Sequence, residues 1–152
     1  MQIVLFQPEI PPNTGNVARL CAATQTPLHL IEPLGFSLDD RYLKRAGLDY
    51  WSHVNVRVWP DWETYAAEGG AGRRHVMTSA RQGEAVHRFA FTERDALVFG
   101  PETRGLPEWL TERYADHVRI PIWGEVRSLN LSTATGIVLY QAYAALGTLE
   151  GR

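Results

Sequence analysis

Leu97-Val-Phe-Gly-Pro-Glu-Thr-Arg-Gly-Leu-Pro107 is the stretch that decides how this chain is read. An apolar run over residues 96–100 has the look of a buried strand, and it passes straight into a loop with two glycines and two prolines. Gly100 and Gly105 let the backbone approach a ligand closely or take a positive φ. Glu102 sets a carboxylate among main-chain groups. A loop with few usable side chains suits a ligand held by main-chain hydrogen bonds, and equally a tight structural crossover. The two readings separate only if the strand belongs to a parallel sheet, because ligands gather at the carboxyl ends of parallel strands.

The flanking sequence predicts that sheet. Short apolar, β-branched runs over 2–6, 28–32, 54–59, 75–79, 96–100 and 117–121 alternate with helical patterns over 13–24, 39–45, 61–68, 107–114 and 131–146. Val17, Leu20, Cys21 and Thr24 share one face of the first helix. Val54, Val56 and Val58 alternate with polar residues along the third strand. Repeated β–α alternation with fully apolar strands implies an α/β fold, a mostly parallel sheet with helices on both faces. Glu68-Gly-Gly-Ala-Gly-Arg73 is a loop before a strand, so it is no dinucleotide fingerprint, which must follow one.

Two more loops follow strands and open helices. Pro8-Glu-Ile-Pro-Pro-Asn-Thr-Gly-Asn-Val-Ala-Arg19 leads into the first helix, where Asn13 or Thr14 is suited to cap. Asn16 and Arg19 lie three apart and share a helical face near its positive end, a place for an anion or a ribose–phosphate. Ile120-Pro-Ile-Trp-Gly-Glu-Val-Arg-Ser-Leu-Asn-Leu-Ser132 leads into the longest helix, with Ser128 and Asn130 both able to cap it.

Composition bounds the function. The 152 residues, 45% apolar and 21% charged, fit one soluble domain over 1–152. The lone Cys21 excludes an internal disulfide, and five scattered histidines give no HExxH pair, so no metal is expected. The N-terminus lacks a basic, apolar leader and no run reaches the 18 apolar residues of a membrane span. A soluble cytoplasmic protein is the expectation. The net charge of −2 speaks weakly against nucleic acid, but fourteen of the fifteen basic residues are Arg, whose planar fork binds phosphate bidentately. Arg41, Lys44 and Arg45 cluster, as do Arg73 and Arg74.

In order and spacing the three loops resemble the three motifs of the SPOUT RNA methyltransferases: PNTGN-xx-R, FGPETRGLP and IPIWGEVRSLNLSTA. The resemblance spans the chain. Leu30-Ile-Glu-Pro-Leu-Gly-Phe36 and Arg45-Ala-Gly-Leu-Asp-Tyr50 are similar to the TrmL branch, which methylates the 2′-oxygen of cytidine or uridine at the wobble position of tRNA. The resemblance implies a deep C-terminal trefoil knot over roughly residues 75–152 and S-adenosylmethionine (SAM) held in a bent form by the knot loops. Carried over, the cofactor meets Met77, Thr78, Gly100, Glu102, Ile120, Ser128 and Leu129. Arg19, with Asn16 orienting it, is the first choice to hold phosphate and the charge developing on the ribose oxygen. Ser128 and Asn130 help position the ribose. Arg19, Arg41, Lys44, Arg45 and Arg104 are the expected RNA contacts. The implied partners are tRNA and a second copy, with Tyr140 at the homodimer interface and no metal. Two alternatives stay open: a ribose methyltransferase for another tRNA or rRNA position, and a SAM-binding module without turnover.

Overall fold

The computed structural model describes residues 1–39, 41 and 50–152. Strands β1 (Gln2–Phe6), β2 (Leu28–Ile31), β3 (Val56–Trp59), β4 (Arg74–Ser79), β5 (Glu84–Ala85), β6 (Asp95–Phe99) and β7 (His117–Arg119) form one sheet in the order β3-β2-β1-β6-β4-β7-β5. Every pairing is parallel. Helices α1 (Pro11–Thr24), α2 (Trp62–Ala67), α3 (Glu108–Thr111) and α4 (Leu131–Ala145) join them. The expected helix over 39–45 falls almost wholly outside the described residues.

Alternation along β1 builds two cores. Ile3 and Leu5 face one cluster with Val17, Ala18 and Cys21 of α1 and Val138, Leu139 and Ala142 of α4. Val4 and Phe6 face the other, with Trp62 and Tyr65 of α2 and Leu110 of α3. Both faces of the sheet are therefore covered, as the fully apolar strands require.

Three local expectations change. The first helix begins at Pro11, not at residue 13, because prolines at its first two positions lose nothing where N–H groups have no intrahelical partner. Neither Asn13 nor Thr14 caps it; the N-cap is Ile10, without a side-chain bond of its own. On the edge strand β3, Val58 is 36% exposed and Trp59 is the buried residue. The two-residue β5 has no sequence signature, because a strand that short shows no period.

β7 lies between β4 and β5, two strands that precede it in sequence. Thr78, Val118 and Glu84 form one cross-strand row. The link from β4 to β5 must then pass β7, and it does so at Gly83. A Cβ there would stand 2.5 Å from the carbonyl carbon and oxygen of His117. The Arg119 Nε donates to the Gly83 carbonyl at 3.2 Å.

Under the second core, the buried Trp59 indole donates to His29 Nδ1 at 2.8 Å, so that nitrogen must be unprotonated. Burial first, then the charges of Arg57 and Arg73, push the imidazole down to about 4. The unfolded chain protonates His29 near its ordinary value, so the neutral folded form contributes stability above about pH 6.5 that is lost as pH falls towards 4. The loss is at most about 3 kcal/mol, from a shift of roughly two and a half units at 1.36 kcal/mol each. Urea midpoints at pH 7.5 and 4.5 test this. His29→Gln is expected to narrow the difference, and an unchanged difference would assign it elsewhere.

Candidate functional site

Because all strands are parallel, the three loops singled out in the sequence converge on one edge of the sheet. The carboxyl ends of β6, β4 and β7 are neighbours there. They present Gly100, Thr78 and Ile120 side by side. The loop over 101–105 curls back on Gly100, whose Cβ would meet Leu106 N at 2.2 Å and Gly105 C at 2.3 Å. Gly105 takes φ +69° and its N–H closes the turn on the Pro101 carbonyl at 2.9 Å. Only glycine fits at this self-packed turn, because its own loop backbone fills the space a side chain would need.

Glu102 joins the loops. Its carboxylate accepts from the main-chain N–H of Glu9 at 2.8 Å and of Ile10 at 3.1 Å, and from Asn13 Nδ2 at 3.3 Å. It thus does for α1 what no local side chain does, placing a negative charge at the positive end of the helix. Glu9 reciprocates by accepting from the Thr103 hydroxyl at 2.8 Å and the Thr103 amide at 3.2 Å. These two bonds, hydroxyl first, hold the Glu9 carboxyl below its ordinary value. Asn13 Oδ1 accepts from Asn130 Nδ2 at 2.9 Å, and Asn130 Oδ1 caps α4 through the amides of Ser132 and Thr133. Glu102, Asn13 and Asn130 therefore tie all three loops together. Gly35 backs the first loop from below: its N–H donates to the Pro8 carbonyl at 2.9 Å, and a Cβ there would strike Glu9 at 2.8 Å.

The side chains expected in the site differ in exposure and in engagement. Asn16 and Arg19 are exposed on α1, and the Arg19 guanidinium lies 4.8 Å above the Tyr50 ring. Ser128 is exposed, and Ile120 and Leu129 are half-buried around the third loop. Met77 is fully buried in the second core, so only its main chain reaches the edge, and the Thr78 hydroxyl donates to the Val98 carbonyl at 2.8 Å. The carboxylate of Glu102 and the amide of Asn130 are engaged in joining loops. Arg41 and Arg104 are exposed, while Lys44 and Arg45 lie outside the described residues. Tyr140 is 47% exposed on α4. No group of three or more His, Cys, Asp or Glu able to hold a metal occurs among the described residues, and no helix among them is long and apolar enough to cross a membrane.

The sequence reading missed Glu9, Asn13 and Thr103 as partners. Only the pairing of acidic residues in two distant proline-rich loops hinted at them, and their contact depends on the β1–β6 register.

Removing the Glu102 carboxylate leaves two main-chain N–H groups and an amide without their acceptor. Glu102→Ala is expected to cost about 2 kcal/mol, seen as a Tm lower by roughly 4–8 °C. Combined with Asn13→Ala, the loss should fall short of the sum by about 0.5 kcal/mol or more. Strict additivity in thermal denaturation would show that the two side chains do not act together.

Residues 1–140 match the model of the SpoU rRNA methylase family. A tRNA (cytidine(34)-2′-O)-methyltransferase of Methylovorus glucosotrophus is 52% identical over 93% of this chain and 92% of its own. The enzyme of the same name from Burkholderia cenocepacia is 49% identical over 95% of each. A structure concerned with 2-OH methylation of C/U34 on tRNA superposes with a TM-score of 0.91 at 50% identity, covering 97% of this chain and 96% of that one. The SpoU methyltransferase AviRb of Streptomyces viridochromogenes, solved with AdoMet, gives a TM-score of 0.80 at 25% identity, covering all of this chain and 59% of its own. The chain belongs to the SpoU methylase family.

Proposed function

We propose that this protein transfers a methyl group from SAM to the ribose 2′-oxygen of nucleotide 34, cytidine or uridine, in tRNA. The observation that carries this reading is the joining of three loops at one sheet edge by Glu102, Asn13 and Asn130, in a chain about half identical, over nearly its whole length, to relatives bearing that name.

The residues present suit the cofactor. Gly100, Thr78 and Ile120 are half-buried side by side at the neighbouring ends of β6, β4 and β7, where main-chain groups can meet a ligand. Gly100, Ile120, Ser128 and Leu129 would hold SAM, together with Thr78 and the main chain of Met77. Bound SAM supplies a methyl group on a positively charged sulfur. The rest falls to the protein. The ribose hydroxyl must be aligned with that methyl, so that its oxygen would take the methyl as the carbon–sulfur bond breaks to a neutral thioether, its proton passing to solvent. Arg19 would hold an adjoining phosphate and the negative charge growing on the oxygen. We rank this above a general-base role, because a guanidinium offers hydrogen-bond donors and no acceptor for the proton. Asn16, on the same face, would orient Arg19. Asn130 acts as a positioning residue through its cap and its bond to Asn13.

We also propose the trefoil knot over residues 75–152 and a homodimer. Family membership supports the first, as does the passage of the 80–83 link across β7. A stripe of exposed residues on α4, Thr133, Ile137, Tyr140 and Ala144, supports the second.

The test is methyl transfer from labelled SAM to tRNA from cells lacking the enzyme, followed by digestion and mass spectrometry. A 2′-O-methyl pyrimidine at position 34 is expected. A methyl group on another tRNA or rRNA ribose would replace the substrate and keep the chemistry. SAM binding with no transfer to either RNA would overturn the enzymatic reading. Sedimentation should give a dimer that Tyr140→Arg dissociates, and a monomeric parent protein would remove the interface.

A further inference from the structure

The loop over 100–107 has two sides. Gly100 and Glu102 belong to the site above. On the α3 side the same loop walls a cleft of about 360 Å³ lined by Phe6, Gln7, Arg104, Gly105 and Trp109. That volume lies at the lower end of the roughly 300–1,000 Å³ typical of small-ligand clefts.

Four features of the cleft ask for an occupant. Trp109 is 48% exposed although its indole is apolar, with the Phe6 ring edge-on at 6.0 Å and the Arg113 guanidinium 5.3 Å from it. Gln7 takes φ +48°, a left-handed conformation that costs a non-glycine residue on the order of 1 kcal/mol and collects at functional sites. Its N–H donates to the Ile31 carbonyl at 3.0 Å, while its side-chain amide forms no hydrogen bond among the described residues. Arg104, exposed, has no hydrogen bond or salt bridge among them either. An aromatic surface, an unused amide and a guanidinium that makes no hydrogen bond, though its charge reaches Glu9, match the three parts of a nucleotide: a base to stack, a base edge to read and a phosphate to hold.

We infer that this cleft binds one nucleotide of the RNA substrate other than the methylated one, its base against Trp109, its edge at Gln7 and its phosphate at Arg104. The inference rests on the RNA reading above. It gives the loop over 100–107 a double duty, with the cofactor cradle on one side and a reading pocket on the other. An RNA strand crossing the carboxyl edge of the sheet would be gripped next to its reacting ribose.

The test uses the full-length protein, tRNA, and anticodon stem-loops carrying 2-aminopurine at successive loop positions. One position other than 34 should lose fluorescence on binding the parent protein. That quenching should disappear in Trp109→Ala and persist in Trp109→Phe. KM for tRNA should rise roughly tenfold in Trp109→Ala, as expected for losing one stacked base, with SAM affinity unchanged. Gln7→Gly gives a second readout independent of folding damage. Glycine takes positive φ without strain, and that relief offsets its greater loss of chain entropy, so Tm should stay close to the parent's while KM for tRNA rises several-fold. Parent-like KM and quenching in both variants would overturn the cleft and leave the enzymatic reading intact. No methyl transfer to any RNA by the parent protein would overturn both.

Discussion

Arg19→Ala is expected to lower methyl transfer by about 10²–10³-fold while leaving SAM affinity within about twofold of the parent. The magnitude is that of removing one donor aimed at a developing oxyanion. Arg19 is exposed on α1, outside both cores, with its guanidinium over Tyr50, so its loss should not disturb folding. Arg19→Lys keeps the charge but not the planar fork or the stacking on Tyr50, and should recover only part of the rate. Single-turnover assays with saturating tRNA separate a slowed chemical step from weak binding. Near-normal turnover in Arg19→Ala would remove this residue from the reaction and shift attention to the loop over 121–130.

Gly83→Ala is expected to damage the fold severely, lowering Tm by roughly 8–16 °C for a cost of about 4 kcal/mol. Gly83 has φ +104°, and the new Cβ would sit 2.5 Å from the His117 carbonyl and 2.8 Å from the Val118 nitrogen. Those are backbone atoms of a strand paired on both sides, to β4 and to β5. Neither neighbour can step aside as a flexible side chain would. Gly105→Ala is the control. Its φ of +69° is a left-handed value an alanine can adopt with modest strain, and nothing lies within 4 Å of the added carbon, so it should cost about 1 kcal/mol. Equal effects in thermal denaturation would show that the close passage over β7 adds nothing to the cost.

The sequence read well where chemistry is local or periodic. Fully apolar runs such as Ile3–Phe6 and Leu97–Phe99 told of a parallel sheet because both faces of each strand are buried. The Asn130 cap could be read from its place ahead of an apolar helix. Asn16 and Arg19 lie together on the exposed face that their spacing predicted. What stayed hidden depends on contacts across long sequence separations. Glu102 reaches Glu9 and Ile10 only because β1 pairs with β6, so its engagement with α1 could not be seen in either loop alone. The Met77 side chain turns into the core because its neighbours on the strand set the parity. β5 exists because β7 pairs with it. The cleft beside Trp109 brings Gln7 together with Arg104, 97 positions away.

The place of β7 also bears on the order in which the molecule can be made. A ribosome releases this chain from its N-terminus, so β1 to β4 and β6 can all emerge and pair before residue 117 has left the exit tunnel. β5 cannot, since its one strand partner is β7. Until β7 arrives, the segment carrying Gly83 has no backbone to lie against, and the sheet edge that gathers the three loops is incomplete. Completion therefore waits for His117–Arg119 to emerge, and a chain stalled before His117 would have most of its sheet but no finished site.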